Sequence, residues 1–265
     1  MMRATATPRR RGHRWVGGMA AVATVLTWSV LAWSAPAGAS TTNLYSSGST
    51  GYDVGYPNCS DTPPGGFAIV GLGGGRPFTT SSCLTGEWST ARTFTAAPAP
   101  ALYFNTGYAG AYARDITSPT CTTYAGRSLS GLGKHDQSTY QTAWEIGCSE
   151  VAYAAGVAAA NGEAPSMWWA DIETGNSWST NQAVNQYTVD GLSYGMQHTG
   201  AGVGGVYSYP ASWDKIVGVG FQASPPFAGD WGPNLTCGSN GFDGSAVWIV
   251  QNGTKGGVDT DLGCG

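Results

Sequence analysis

The sequence predicts an α/β protein that folds as a single-domain (β/α) TIM-like barrel. Short apolar runs alternate with longer stretches of helical periodicity across residues 51–261, which favours parallel strands joined by right-handed crossovers. Several apolar runs contain or end in an acidic or amide residue, as expected where barrel strands bring their carboxyl ends to one face. Removal of a leader, residues 1–39, from the 265 leaves 226 residues, enough for one large domain with a sizeable core.

Periodicity and capping signals predict the elements in chain order. The strands are expected at 51–56, 67–70, 101–105, 165–174, 203–209 and 246–250, and residues 257–261 close the chain. The helices are expected at 84–94, 138–161, 179–200 and 211–216. Ser138 and Ser179 each have a glutamine three residues later, the spacing of a capping box, and Asn161-Gly162 is typical of a helix end.

Residues 1–39 have the organisation of a secretory signal peptide. Five arginines precede and flank the start of a mostly apolar core at 16–33, and residues 35–39 supply an A-x-A cleavage site before Ser40. The mature domain is therefore expected to span 40–265 and to be secreted. A retained membrane anchor is the alternative, although tryptophan and serine interrupt the apolar run.

The mature chain is expected to be acidic. The leader holds 5 of the 12 Lys and Arg residues and none of the 16 Asp and Glu residues, so the mature chain has 7 against 16 and a net charge of −9. This balance argues against nucleic acid and against anionic lipid surfaces as partners. No other apolar segment is long enough to span a membrane, so no membrane partner is expected after cleavage.

All six cysteines lie in the mature part, an even number that is typical of disulfides in an exported protein. The sequence has no C-x-x-C pair, so no metal site is expected. Six cysteines allow fifteen connectivities, and neighbour pairing is favoured because each bridge would close a modest loop. The expected pairs are Cys59 with Cys83, Cys121 with Cys148 and Cys237 with Cys264.

The stretch 165–174 is an apolar run that ends in two carboxylates. In a strand, Trp169, Asp171 and Glu173 share one face with Met167, and the residues between them face the other way. The two carboxylates then lie roughly 6.5 Å apart, close enough for one charge to raise the pKa of the other, and an indole wall adds to this effect. Such a pair, one protonated and one ionised, serves glycoside hydrolysis. The alternative is a strand end whose acids cap a helix or meet solvent.

Two motifs are similar to the signatures of other enzyme classes, the dinucleotide-binding enzymes and the serine hydrolases. The glycines at 71–75 follow a buried strand, but no third glycine stands at the spacing that a dinucleotide-binding loop requires. A tight turn is therefore expected there. Gly191-Leu192-Ser193-Tyr194-Gly195 matches the G-x-S-x-G of serine hydrolases, but it lies inside a predicted helix rather than between a strand and a helix. His198 follows Ser193 by five residues with no acid between them, so the triad order is also missing.

Four motifs follow one another across residues 51–261. They are G-x-D-V at 51–54, D-x-E at 171–173, a tyrosine strand at 206–209 followed by Trp213, and Trp248, Gln251 and G-V-D at 257–259. Their order and spacing resemble those of the family-25 glycoside hydrolases, lysozyme-type muramidases with a (β/α) barrel. Two departures stand out: residues 71–75 lack the Lys and Glu of the family's second strand, and residues 102–105 lack the histidine of its third.

The resemblance implies roles for individual residues. Glu173 would donate a proton to the glycosidic oxygen, and Asp171 would stabilise the developing charge or position a substrate N-acetyl group as an internal nucleophile. Asp53 and Asp259 would complete the acidic cluster. Core packing is the alternative for each implied aromatic and is favoured for Trp248. The implied substrate-binding residues are Asn105, Trp169, Tyr207, Tyr209 and Trp248.

The sequence therefore predicts a secreted, monomeric glycoside hydrolase that acts on a cell-wall glycan of the peptidoglycan type without a cofactor. A secreted glycan-binding protein that has kept the barrel and lost turnover is the alternative. The missing acid on the second strand favours the binding protein, and retention of both carboxylates in Asp171-Ile172-Glu173 favours the enzyme.

Overall fold

In the computed structural model, which describes residues 42–56, 58–61, 63–94 and 98–265, the chain forms a closed barrel of eight strands. Each strand pairs with its neighbours in chain order, and the last pairs with the first. The strands are β1 Thr50–Val54, β2 Phe67–Gly71, β3 Ala101–Asn105, β4 Trp168–Asp171, β5 Gly204–Tyr207, β6 Asp230–Gly232, β7 Val247–Lys255 and β8 Val258–Gly263. The predicted α/β barrel is confirmed, and the predicted signal peptide lies outside the described residues.

The prediction that all strands run parallel is wrong for the last one. β1 to β7 run parallel to one another, whereas β8 is antiparallel to both β7 and β1. β7 and β8 form a hairpin whose two-residue turn is Gly256-Gly257, with φ angles of 65° and 91°. Two successive positive φ angles match the twist of a tight hairpin, and glycine adopts them without steric cost. The tight turn at this glycine pair is therefore the reason that β8 runs antiparallel to β7.

Strand β6 was not predicted. It has only three residues, too few for an alternating pattern to stand out from the surrounding loop. It nevertheless pairs with β5 and with β7, and it places Trp231, which is 2% exposed, among the aromatic side chains of the barrel interior.

All four predicted helices are present, and their bounds differ from prediction by at most four residues. Gly162, in the left-handed conformation at φ 71°, ends the second helix as predicted. That helix begins at Lys134, one turn before Ser138, and Asn181 rather than Ser179 caps the third, with its side chain accepting from the Ala183 N–H. The helices are α1 Leu84–Ala91, α2 Lys134–Asn161, α3 Gln182–His198 and α4 Pro210–Val217, with 3₁₀ helices at Gly110–Asp115 and Pro119–Cys121.

The G-x-S-x-G motif lies inside α3, as predicted. Its first glycine, Gly191, packs α3 against α2, where Gly147 has the same role. A Cβ atom on Gly191 would lie 2.0 Å from the carbonyl oxygen of Trp144, and one on Gly147 would lie 2.0 Å from that of Thr188. The two glycines thus let the backbones of α2 and α3 approach each other closely. Ser193 is 1% exposed, and its hydroxyl donates to the carbonyl oxygen of Pro225 at 2.7 Å.

The alternation predicted along β4 separates the two cores of the molecule. Met167 and Trp169 point into the barrel, where they pack with Trp231 and Trp248. The residues between and after them, Trp168, Ala170 and Ile172, point outward and pack in the core shared with the helices. The face that carries Asp171 is therefore the inner face of the barrel.

Three disulfides are present, and they follow the neighbour pairing that the sequence favours: Cys59 with Cys83, Cys121 with Cys148 and Cys237 with Cys264. The second joins α2 to the 3₁₀ helix before it, and the third joins the loop after β6 to the end of the chain. Within the described residues, no helix combines the length and the apolar character needed to cross a membrane.

Candidate active site

The predicted catalytic side chains converge at the end of the barrel where the parallel strands have their carboxyl ends. Asp171, the last residue of β4, lies opposite Asn105, the last residue of β3. Asp53, near the end of β1, lies opposite Asp259 of β8. Because β8 is antiparallel, its first residues reach this same end. Glu173 follows Asp171 by two residues, so all four acids meet at one mouth.

Of the two acids at the end of β4, Asp171 is more deeply buried than Glu173. It is 5% exposed; its Oδ2 accepts from the Asn105 amide at 2.6 Å, and its Oδ1 is buried with no hydrogen-bond partner among the described residues. Thr106 and Asn176 both donate to its backbone carbonyl oxygen. Burial is the main cause that raises the pKa of Asp171, the charge of Glu173 raises it further, and the Asn105 hydrogen bond opposes both.

Glu173 is half-buried, so its carboxyl group can be reached from the mouth. Burial raises its pKa, and the nearby charge of Asp259 adds to the effect. Asp171 and Glu173 therefore repel each other as the sequence predicts, burial raises the pKa of both, and the charge of Asp259 acts on Glu173 in addition. The loop after β4 is held by Trp178, whose indole N–H donates to the Glu173 carbonyl oxygen at 2.8 Å.

Gln251 of β7 connects the other two acids of the cluster. Its amide nitrogen lies 3.1 Å from Asp53 Oδ2 and 3.3 Å from Asp259 Oδ2, and its amide oxygen accepts from the Tyr207 hydroxyl at 2.9 Å. Thr254 donates a further hydrogen bond to Asp259. Burial and the charge of Asp259 raise the pKa of Asp53, while the Gln251 amide lowers it. One amide therefore holds two carboxylates side by side.

A fifth carboxyl group, Asp261, lies beneath this cluster and was not among the predicted site residues. It is 1% exposed and accepts from the Trp231 indole N–H at 2.8 Å. Burial and the charge of Asp53 raise its pKa well above the ordinary value for aspartate. The signal that could have found it is simple, because residues two apart on β8 share a face and Asp259 was already assigned to the site.

No protein-family model matches the sequence, and no curated protein matches it either. Among solved structures, the barrel is similar to a family GH25 lysozyme from Aspergillus fumigatus, with a TM-score of 0.53 and 11% identity over 82% of this chain and 94% of that one. The chain has a GH25-like fold. A muramidase from Trichobolus zukalii is similar as well, with a TM-score of 0.51 and 13% identity over 82% of this chain and 93% of that one.

Within this GH25-like barrel, two of the implied substrate-binding aromatics are part of the core. Trp169 is 0% exposed and Trp248 is 1% exposed, and their rings meet in a T-shaped contact inside the barrel. The Trp169 indole N–H donates to the Tyr45 hydroxyl at 3.3 Å. Neither ring face is open to a sugar, so for both residues the core-packing alternative is correct.

Tyr207 and Tyr209 are half-buried at the mouth of the GH25-like barrel. Tyr207 packs its ring against Trp231, with centroids 4.4 Å apart, and its hydroxyl is already bound to Gln251. The hydroxyl of Tyr209 lies 3.4 Å from that of Thr174, in the loop that carries Glu173. Tyr209 is therefore the better placed of the two to meet a ligand that reaches Glu173.

The two departures from the GH25 motif pattern lie next to each other in space. A Cβ atom on Gly71 would lie 2.7 Å from the ring of Tyr103, and one on Gly73 would lie 2.7 Å from Oδ1 of Asn105. The glycines that follow β2 therefore leave room for the side chains of β3. Asn105 uses this room to reach Asp171, so its observed contact is with a carboxylate of the site.

Proposed function

We propose that this protein is a secreted glycoside hydrolase that cleaves peptidoglycan-type N-acetylated glycan by carboxylate general-acid catalysis. The observation that carries the proposal is Glu173, a half-buried carboxyl group with a raised pKa at the mouth of a GH25-like barrel, beside Asp171 and Asp259. A carboxyl group that keeps its proton towards neutral pH and can still be reached is suited to protonate a leaving-group oxygen.

In the proposed reaction, Glu173 donates its proton to the glycosidic oxygen while the bond from that oxygen to the anomeric carbon breaks. Positive charge then develops on the anomeric carbon and the ring oxygen. Asp171, held by Asn105, stabilises this charge or orients the substrate N-acetyl group, whose carbonyl oxygen attacks the anomeric carbon. Water then displaces that oxygen and completes hydrolysis, and Glu173 recovers its proton from the water.

The remaining residues have supporting roles in this proposal. Asp53 and Asp259, joined by Gln251, complete the acidic cluster, and the charge of Asp259 helps to keep the pKa of Glu173 raised. Tyr209 offers a ring at the edge of the mouth, and Tyr207 and Asn105 line it. No cofactor takes part in any of these steps.

We further propose that residues 1–39 are removed on export and that residues 40–265 act outside the cell as a monomer. The three disulfides support this location, because such bridges persist in oxidising compartments. The acidic net charge of the mature part also makes a polysaccharide a more suitable partner than nucleic acid.

A second candidate is a glycan-binding protein without turnover on the same barrel. Its support is the glycine run at 71–75, where the GH25 motif pattern has Lys and Glu. The two candidates differ in what they require of Glu173: a binding protein has no need of a reachable carboxyl group with a raised pKa.

The experiment that decides between them is hydrolysis of purified peptidoglycan by the mature protein, scored by new reducing ends and by product masses. We expect turnover, and we expect Glu173→Gln to lower kcat by about 10²- to 10⁴-fold with little change in binding. Glu145→Gln, a half-buried glutamate on α2 outside the cluster, is the matched control and should keep its rate. Wild-type turnover in Glu173→Gln would refute the assignment. Binding without turnover by the wild type would favour the binding protein.

A further inference from the structure

Asp261 is a buried carboxyl group that the proposed reaction does not use. One of its oxygens, Oδ1, accepts from the Trp231 indole N–H, and the other, Oδ2, is buried with no N–H or O–H donor among the described residues. The carboxyl group of Asp53 lies next to it, because Asp53 is opposite Asp259 in the β1–β8 pair and Asp259 and Asp261 share one face of β8, and this places the two groups in hydrogen-bonding reach. Two carboxyl groups therefore meet below the mouth of the barrel, one at the site and one beneath it.

Such a contact is stable only when a proton lies between the two groups, because two buried carboxylates in contact repel each other strongly. The surrounding hydrogen bonds indicate which group carries that proton. Asp53 already accepts from the Gln251 amide, which favours its ionised form. Oδ2 of Asp261 has no other partner, and that oxygen is the atom left to hold the proton.

The other groups that face Asp261 agree with this assignment. Asp53 on β1 and Asp259 on β8 both disfavour a charge on it, and the hydroxyl of Tyr45, which lies near it, is itself buried and neutral. Trp231 on β6 donates one neutral hydrogen bond. Among the described residues, no lysine, arginine or histidine forms a salt bridge with Asp261.

We propose that Asp261 is a positioning residue: it carries a proton and donates it in a hydrogen bond to Asp53, which fixes Asp53 and, through Gln251, Asp259. A continuous chain of contacts then runs from Trp231 through Asp261, Asp53 and Gln251 to Asp259. Because the charge of Asp259 raises the pKa of Glu173, Asp261 supports the proton donor of the reaction through Asp53, Gln251 and Asp259. This role rests on the proposed function, whereas the protonated state of Asp261 does not.

The test compares two substitutions, one that keeps the contacts of Asp261 with Trp231 and Asp53 and one that removes them. In Asp261→Asn, the amide oxygen can still accept from Trp231 and the amide nitrogen can still donate to Asp53, so it imitates a protonated aspartate. In Asp261→Ala, both contacts are lost. We expect Asp261→Ala to lower kcat by about 5- to 100-fold and Asp261→Asn to restore most of that loss, with the pH–rate profile of the wild type.

A second measurement needs no enzyme activity. In protein labelled with ¹³C at the aspartate carboxyl carbons, the resonance that disappears in Asp261→Asn should have the position of a protonated carboxylic acid and should not titrate across about pH 5 to 8. Asp214→Asn on α4 is the matched control for the chemical change, and circular dichroism checks folding. A titrating Asp261 resonance would overturn the proposal even if the protein hydrolyses glycan.

Kinetics can overturn it independently. If folded Asp261→Asn is as slow as Asp261→Ala, or if its pH–rate profile moves to lower pH as expected on loss of a charge, Asp261 acts as an anion and the proposal is wrong. If the wild type hydrolyses no glycan, the proposed function fails, and the carbon resonance alone decides whether Asp261 holds the proton.

Discussion

Two groups of strands at the barrel mouth differ in kind, and we call them its charged half and its neutral half. The charged half comprises the ends of β1 and β8 and, beyond β2 and β3, the end of β4, and its four acids lie close enough that burial and mutual repulsion raise the pKa values of Asp53, Asp171 and Glu173. On the side of β2 and β3, glycines stand where carboxylates could have been, and the space they leave is filled by Tyr103 and Asn105. The charged half thus holds the acids, and the neutral half, β2 and β3, supplies the neutral donor Asn105.

This difference gives the departures from the GH25 motif pattern a physical explanation. The absence of an acid after β2 and the absence of a histidine on β3 could each be taken to mean that the site has no activity. In the structure they are coupled, because a side chain at Gly73 would collide with Asn105, and Asn105 holds Asp171. The neutral half is therefore arranged around one hydrogen bond, from Asn105 to Asp171 in the charged half.

The largest expected effect on kcat comes from removing the hydrogen bond between Asn105 and Asp171. Asn105→Ala removes the donor to Asp171 Oδ2, and since this contact stabilises the ionised form, the pKa of Asp171 should rise further. We expect kcat to fall by about 10- to 100-fold, the effect of one lost hydrogen bond to a charged group. Steady-state kinetics on peptidoglycan measures this.

Thr106→Val is the control for Asn105→Ala, because it removes a hydrogen bond to the backbone carbonyl of Asp171 and leaves the carboxylate untouched. It should lower stability more than rate. Equal losses of kcat in the two variants would mean that Asn105 acts by holding the strand end rather than the carboxylate.

A smaller effect on rate, with a defined direction in pH, is expected on the charged side. Asp259→Asn removes the charge that raises the pKa of Glu173, so that pKa should fall. The protonated acid is then lost at a lower pH, and the basic limb of the kcat/KM profile moves downward. Asp214→Asn on α4 should leave the profile in place. An unmoved or upward-shifted limb in Asp259→Asn would show that another residue is the acid.

Gly73→Ala tests the neutral side directly. Its Cβ would lie 2.7 Å from Oδ1 of Asn105, so the amide must shift, and part of the Asn105→Ala effect on kcat should appear together with a stability loss of about 1 kcal/mol. Gly86→Ala on α1 has no atom within 4 Å of the new Cβ and should instead stabilise the protein by about 0.5–1 kcal/mol. Kinetics and thermal unfolding separate the two. Full activity in Gly73→Ala would refute the coupling between the two strands.

The sequence predicted the charged half well and the neutral half poorly. Alternation along β4 placed Asp171 on the same inner face as Trp169, because a strand has a period of two. It did not reveal that Trp169 is fully enclosed, since a face of a strand does not indicate depth inside a barrel filled by layers of side chains. The short β6 and the Gly256-Gly257 hairpin carried weak signals, so the direction of β8 and the position of Asp261 were missed.

The smallest expected effect concerns Ser193, which carries the other catalytic motif in the sequence. Its hydroxyl donates to the Pro225 carbonyl oxygen at 2.7 Å from a helix that packs against α2, so its role is structural. Ser193→Ala should cost about 0.5–1.5 kcal/mol of stability, the net value of one hydrogen bond, and leave kcat unchanged. Urea unfolding and peptidoglycan kinetics on the same preparation measure both. If activity disappears while the fold is intact, the acidic cluster is not the catalytic site, and hydrolysis of esters or amides by Ser193 has to be considered again.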